Sequence, residues 1–211
     1  MSFNSQYLAS IVSALSVLPV LIVGVVYFNS LPTLLKRALF LFWLGLFTDL
    51  FGWYCYLTNN ASANIIAFNC YMILEYSFYA WFVGQVLYDH KRSILLRRAW
   101  IVLIPLWFLT IRMDENHRFF SLTIQILLSL LLSFCILRHV ENEREPYGKA
   151  VFWILLGSFF YYFCTFFFMG FLNVKFILKI WHIKNIVGIT SNAIFFYGFW
   201  IETRKQARKM T

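Results

Sequence analysis

Two carboxylates, Asp49 and Glu75, stand inside long apolar runs, where a charge is expensive. Near the other end of the chain, His182, Lys184, Asn185 and Asn192 fall within eleven residues of a further apolar run; Asn69 shares a run with Glu75, and Gln125 interrupts one more. Ionisable groups at membrane depth mark ion pathways, proton relays or paired charges. One reading is therefore a water-accessible cavity that opens outward, with Asp49 and Glu75 as proton- or cation-binding carboxylates. His182, Asn69 and Asn185 would line its mouth. A carboxylate at such depth is costly to ionise, which suits proton coupling. The other reading is a satisfied polar network, with Asp49 paired to His182 or Lys184 and Glu75 bonded to Asn192 or a tyrosine. For Asn185, Asn192 and Gln125, hydrogen bonding between helices is the plainer role.

Helical rise gives each group a depth. Asp49 is thirteen residues beyond Lys36, which places it ~10 Å below the outer edge of a ~30 Å core. Asn69, His182 and Asn185 come out at ~8–12 Å, and Glu75 and Asn192 near ~20 Å. Two polar layers are expected: Asp49, Asn69, His182 and Asn185 outside, Glu75 and Asn192 deeper. Helical phase puts Asn185 and Asn192 on one face, with His182 beside Asn185, and makes Tyr71, Glu75 and Tyr79 an i, i+4, i+8 stripe. Asn69 is displaced from that stripe and shares its face with Tyr76.

Other chemistries find less support. Lys184 in a last helix invites comparison with retinal Schiff-base lysines, but it lies near the outer surface, where it snorkels or pairs with Asp49. Asp49 and His182 supply only two metal ligands. Thr190 and Ser191 lie near His182 without a nucleophile motif. No cofactor is expected. The four cysteines lie in apolar runs with no CxxC pair and read as small buried hydrophobes.

The elements that must position these groups are membrane helices. Hydrophobic residues make up 61% of the 211 and charged residues only 13%, about half the charge of a soluble domain. Seven apolar runs approach the ~20 residues of a bilayer span: Tyr7–Phe28, Leu39–Leu57, Ala63–Tyr88, Leu95–Met113, Phe119–Leu137, Ala150–Leu172 and Phe176–Trp200. The fourth is the weakest, since Arg97, Arg98 and Arg112 must snorkel; if it lies on the surface the count is even. With seven spans and the N-terminus outside, thirteen of the eighteen Lys and Arg fall on the cytoplasmic side, as the positive-inside rule asks. The net charge of +9 is thereby assigned to orientation and anionic lipid rather than nucleic acid. The tail Arg204–Lys209 anchors the last helix or docks a cytoplasmic partner. The first run reads as a retained helix, because no basic residue precedes it and no cleavage site follows.

A faint internal repeat pairs Phe42-Trp43-Leu44-Gly45 with Phe152-Trp153-Ile154-Leu155-Leu156-Gly157, and Asn64–Ala67 with Asn185–Gly188. It fits two three-helix units joined by the fourth span, or chance likeness between aromatic-rich helices. The placing of Asn69 to Glu75 in a third span and His182 to Asn192 in a last one resembles small uncharacterised bacterial seven-span proteins. That resemblance implies a cell-membrane setting and no particular activity. The Pro-Gln pairs of PQ-loop and sugar-efflux families are missing. So is the three-His pattern of seven-span hydrolases, because His90, His117 and His139 fall in or beside loops.

The expectation is thus an all-α, seven-span protein forming one integral membrane domain over residues 1–211, with the C-terminus cytoplasmic. It would bind or pass a small polar solute, proton or cation between its second, third and seventh helices. A sensor or pore-forming effector acting through a partner or homo-oligomer is the first alternative, and a lipid-modifying membrane enzyme the second.

Overall fold

The computed structural model describes residues 5–87, 94, 96, 98, 100–110, 118–170 and 181–210. Among these every regular element is helical. The α-helices are α1 (Ser5–Leu15), α2 (Leu18–Val26), α3 (Thr33–Leu57), α4 (Ala61–Val86), α5 (Trp100–Thr110), α6 (Arg118–Asn142), α7 (Ala150–Gly170) and α8 (Trp181–Met210), with 3-10 turns at Phe28–Ser30 and Pro146–Gly148.

Four stretches are long and apolar enough to cross a membrane: Ala9–Val26, Thr33–Leu57, Phe120–Asn142 and Ala150–Phe168. At 26 and 30 residues, α4 and α8 are also long enough, at ~1.5 Å per residue. Their apolar character is diluted by the polar groups singled out above. Besides Leu96 and Arg98, the described part of the fourth run is the 11-residue α5, ~16 Å long; Arg97 and Arg112 lie outside the described residues, as do Lys175 and Lys179.

The first apolar run is two helices rather than one. Pro19 sits in the first turn of α2, where it has no N–H to give and its ring crowds the carbonyl four residues back. Ser16 Oγ donates to the Ser13 carbonyl at 2.6 Å on the α1 side of the break. The turn between α3 and α4 is cut by a different device. Asn59 takes a positive φ of 54°, and the Asn60 side chain accepts the Ala63 N–H at 3.2 Å, an N-cap that starts α4.

The helices pack with α7 between α6 and α8, α3 against α4, and α1 and α2 against α8. Phe42 of α3 meets Phe195 and Phe199 of α8 at ring distances of 4.9 and 6.1 Å, and Val20, Phe82, Leu132, Ile154 and Leu155 are fully enclosed. The outside is as apolar as the inside: Phe40 is 71% exposed and Leu109 69%, a surface suited to lipid rather than water. All four cysteines are free, and Cys70 is exposed, contrary to the expected burial. It follows Ile66 and precedes Leu74 on the outward face of α4, one turn apart in each direction.

One end of the bundle collects the basic residues. Arg37 at the start of α3 lies 4.7 Å over the Trp81 ring near the end of α4. Lys36 covers Phe28, and Arg204 covers Trp200. Gly148 lies beside Lys205 of α8. Such cation–aromatic pairs suit an interface where apolar stems end in charged heads.

His139, in the last turn of α6, is buried with neither ring nitrogen hydrogen-bonded. Replacing a buried unbonded polar group by an apolar one of similar size is neutral or stabilising. His139→Leu should therefore hold or raise the melting temperature of the purified protein, by up to ~2 kcal/mol in stability. A clear loss of stability would show that the imidazole is needed.

Candidate functional site

The polar groups of α3, α4 and α8 converge because each helix turns a periodic stripe inward. On α8 the stripe is Lys184, Asn185, Gly188, Ser191, Asn192 and Phe195. On α4 it is Phe68, Tyr71, Glu75 and Tyr79, and on α3 it is Phe42, Gly45, Leu46, Asp49 and Trp53. Between them, closed by Ser10 and Ser13 of α1 and Tyr161 of α7, lies a cavity of about 320 Å³. A second cavity of about 120 Å³ adjoins it. The two share Asp49, Tyr71, Glu75, Tyr161 and Lys184, and the second adds Tyr76, Ser121, Gln125, Tyr162 and Thr165.

Gly45 is what admits Tyr71. A Cβ at position 45 would sit 2.9 Å from the Tyr71 hydroxyl, closer than carbon and oxygen tolerate. Gly188 does the same for α1, since a Cβ there would lie 2.8 Å from Ser13 Oγ.

Four of the six expected site residues line the cavity: Asp49, Glu75, Asn185 and Asn192. Lys184 lines it as well. Asn69 and His182 do not. His182 is exposed and Asn69 buried, and each lies about 120° around its helix from the centre of the inward stripe. Depth alone put them level with Asp49, but rotation about the helix axis turns them to a flank.

The two asparagines of α8 engage α1. Asn185 Nδ2 donates to Ser10 Oγ at 3.3 Å, and Ser13 Oγ donates to the Asn185 carbonyl at 3.3 Å. Asn192 Nδ2 donates to Ser16 Oγ at 2.7 Å. Contacts at 10, 13 and 16 thus step along 185, 188 and 192 in the same direction, so α1 and α8 run parallel. The Ser10, Ser13, Ser16 spacing was visible in the first apolar run, and it is the signal that would have found this wall.

The electrostatics are asymmetric. Asp49 and Lys184 attract one another across the cavity, while Asp49 and Glu75 repel. Asp49 is exposed, whereas Glu75 is half-buried farther along. The hydroxyls of Tyr71 and Tyr162 stand beside the Glu75 carboxyl, yet Tyr162 Oη makes no hydrogen bond of normal geometry.

Beyond Glu75, Gln125 Nε2 donates to Tyr76 Oη at 3.2 Å and Ser121 Oγ at 3.0 Å, and those two hydroxyls lie 2.7 Å apart. This ties α4 to α6. Gln125 Oε1 and Ser191 Oγ are also buried and unbonded. Buried polar atoms are normally paired; Gln125 and Tyr162 belong to the lining of the smaller cavity and Ser191 to that of the larger.

Among the described residues no three His, Cys, Asp or Glu side chains converge as metal ligands would. Ser191 has no base bonded to it. The arrangement can bind charge and exchange protons at two carboxylates. No protein-family model, curated protein or solved structure matches the chain.

Proposed function

We propose that the chain is a seven-span cell-membrane protein that binds and passes a small polar solute, proton or cation through this cavity, with its N-terminus outside and its C-terminus cytoplasmic. The observation that carries the reading is the shared lining of one cavity by Asp49, Glu75 and Lys184. Charged groups inside a helical bundle are retained against their cost when they serve a pathway.

The parallel course of α1 and α8 supports an odd number of crossings, because the first and last helices then enter from the same side. The gathering of Lys36, Arg37, Arg204 and Lys205 at one end supports the orientation. Asp49 lies eight residues before the end of α3 and Lys184 three after the start of α8, so the charged pair lies toward the opposite end, the outer one in this reading. The break at Ser16–Pro19 resembles in kind the interrupted helices that line transporter sites, where irregular backbone faces a cavity.

The test is uptake by liposomes containing the purified protein, driven by a pH gradient or a membrane potential. Asp49→Asn should lower proton or cation flux at least tenfold while leaving the elution profile and melting temperature close to wild type. Flux that is the same with and without the Asp49 carboxylate would sink the reading.

A further inference from the structure

We infer that the Lys36–Arg37 corner at the start of α3 holds the headgroup of one anionic phospholipid, with an acyl chain laid along the row Phe40, Leu44, Phe47 and Phe51. This surface is on the outside of the bundle and is independent of the carrier proposed above.

The basic end of the molecule is unevenly compensated. On its α6–α7 side the cations meet acids. Arg138 bonds Glu141 at 3.1 Å, Lys149 pairs with Glu143, and Lys205 and Glu145 both border Gly148. Lys36 and Arg37 have no carboxylate partner among the described residues. Each lies over a ring instead, Lys36 at 5.0 Å from the centre of Phe28 and Arg37 at 4.7 Å from that of Trp81. No acid stands in the first turn of α3, so two cations crowd the positive end of a helix dipole, where cations are disfavoured. An anion at this corner offsets both.

The backbone sets the shape of the corner. Successive side chains leave a helix about 100° apart, and the rings hold the two charged heads to opposite sides, Phe28 in the turn before α3 and Trp81 on α4. Between those two directions runs the row Phe40, Leu44, Phe47 and Phe51, spaced i, i+4, i+7 and i+11 on one face. Phe40 is 71% exposed, Phe47 59% and Phe51 43%. The row begins one turn below the charges and extends ~16 Å, about half of a ~30 Å hydrocarbon core and so the depth of one leaflet.

Charge and setting together select the occupant. A guanidinium lying face-on to a ring still donates in its own plane, the geometry that suits phosphate oxygens. Basic residues at a membrane surface attract anionic lipid. A phosphatidylcholine would bring its quaternary ammonium to the same height, against two cations. A soluble anion has no chain to cover the phenylalanine row.

The experiment uses the full chain purified in detergent and incubated with equal amounts of dioleoyl phosphatidylglycerol and dioleoyl phosphatidylcholine. Bound lipid is counted by native mass spectrometry. Wild type should retain phosphatidylglycerol roughly tenfold over phosphatidylcholine. The double variant Lys36→Gln, Arg37→Gln should lose that preference at an unchanged melting temperature. Arg204→Gln is the control. It removes a cation of the same end that lies over Trp200 on α8, and α8 meets α3 through Phe42, on the far side of α3 from the phenylalanine row. That variant should keep the preference. An equal loss in Arg204→Gln overturns the inference in favour of diffuse attraction to the whole basic end. Retention of the preference in the double variant, or its absence in wild type, overturns it as well. Displacement of the lipid by an equal concentration of glycerol phosphate would assign the corner to a soluble anion and overturn it too. If the double variant does not fold, Lys36→Gln and Arg37→Gln are each compared with Arg204→Gln, and a loss no greater than in that control overturns the inference.

Discussion

Glu75→Gln should cut cation or proton flux on the order of 100-fold and leave the bundle folded. The substitution keeps the shape of the side chain and its place between Tyr71 and Tyr162, so the packing of α4 against α3 and α7 has no reason to change. It removes the charge and the ability to carry a proton. A hydrogen bond to a charged partner contributes ~1.5–3 kcal/mol, which corresponds to about 10- to 150-fold in affinity. A proton-coupled step would lose more, because an amide cannot be protonated at working pH. The fold should not suffer: Glu75 and Asp49 repel each other, so neutralising one relieves the other. The measurement is initial-rate uptake into proteoliposomes beside a melting curve of the same preparation. Retained flux would remove Glu75 from the pathway. Lost flux with a collapsed melting transition would assign it to structure instead.

Gly198→Ala should destabilise the protein by ~1–3 kcal/mol, the usual cost of overpacking, although alanine is the better helix former by ~1 kcal/mol. Gly198 is where α8 lies closest to the start of α7. A Cβ there would stand 2.9 Å from Trp153 Cβ and 3.2 Å from the Ala150 carbonyl oxygen. Neither neighbour is the free end of a flexible side chain, so the two helices must separate. Trp153 also holds its indole N–H on the Tyr147 carbonyl at 2.8 Å and its ring edge-on to Tyr197, which resists the shift. Gly170→Ala is the control. Among the described residues a Cβ there meets Leu122 Cδ2 at 3.9 Å, an ordinary contact distance, and that variant should match or exceed wild type. The readout is the melting temperature of both proteins in one detergent, at ~2–4 °C per kcal/mol for a chain of this size. Equal behaviour of the two variants would mean that α7 and α8 are not held at this distance.

Gly198 carries no chemistry, and nothing in the sequence marked it. Helical rise and periodicity are local, so they can be counted from the sequence one helix at a time. That is why the apolar runs, the Tyr71–Glu75–Tyr79 stripe and the shared face of Asn185 and Asn192 were legible. Counting residues from a run's end also placed Asp49 and Glu75 within helices rather than loops.

The same count misjudged the roles of neighbours. Height put His182 and Asn69 level with Asp49, and each turned out to face a flank. Lys184 is a different case: its reading as a partner of Asp49 agrees with their attraction across the cavity. Asn192, placed opposite Glu75 by depth, bonds Ser16 instead.

The sequence by itself determined the medium: a helical chain with an apolar exterior, basic residues gathered at helix ends and a few polar groups held at depth. Composition and local periodicity decide those things without reference to any partner. Only the tertiary structure decided that α1 supplies a wall of serines, that Tyr161 and Tyr162 of α7 close on Glu75, and that the first run breaks where Asn192 can reach Ser16. Which helix lies beside which depends on contacts between residues more than a hundred positions apart, through close approaches such as Gly188 on Ser13. No period within a single helix encodes that choice.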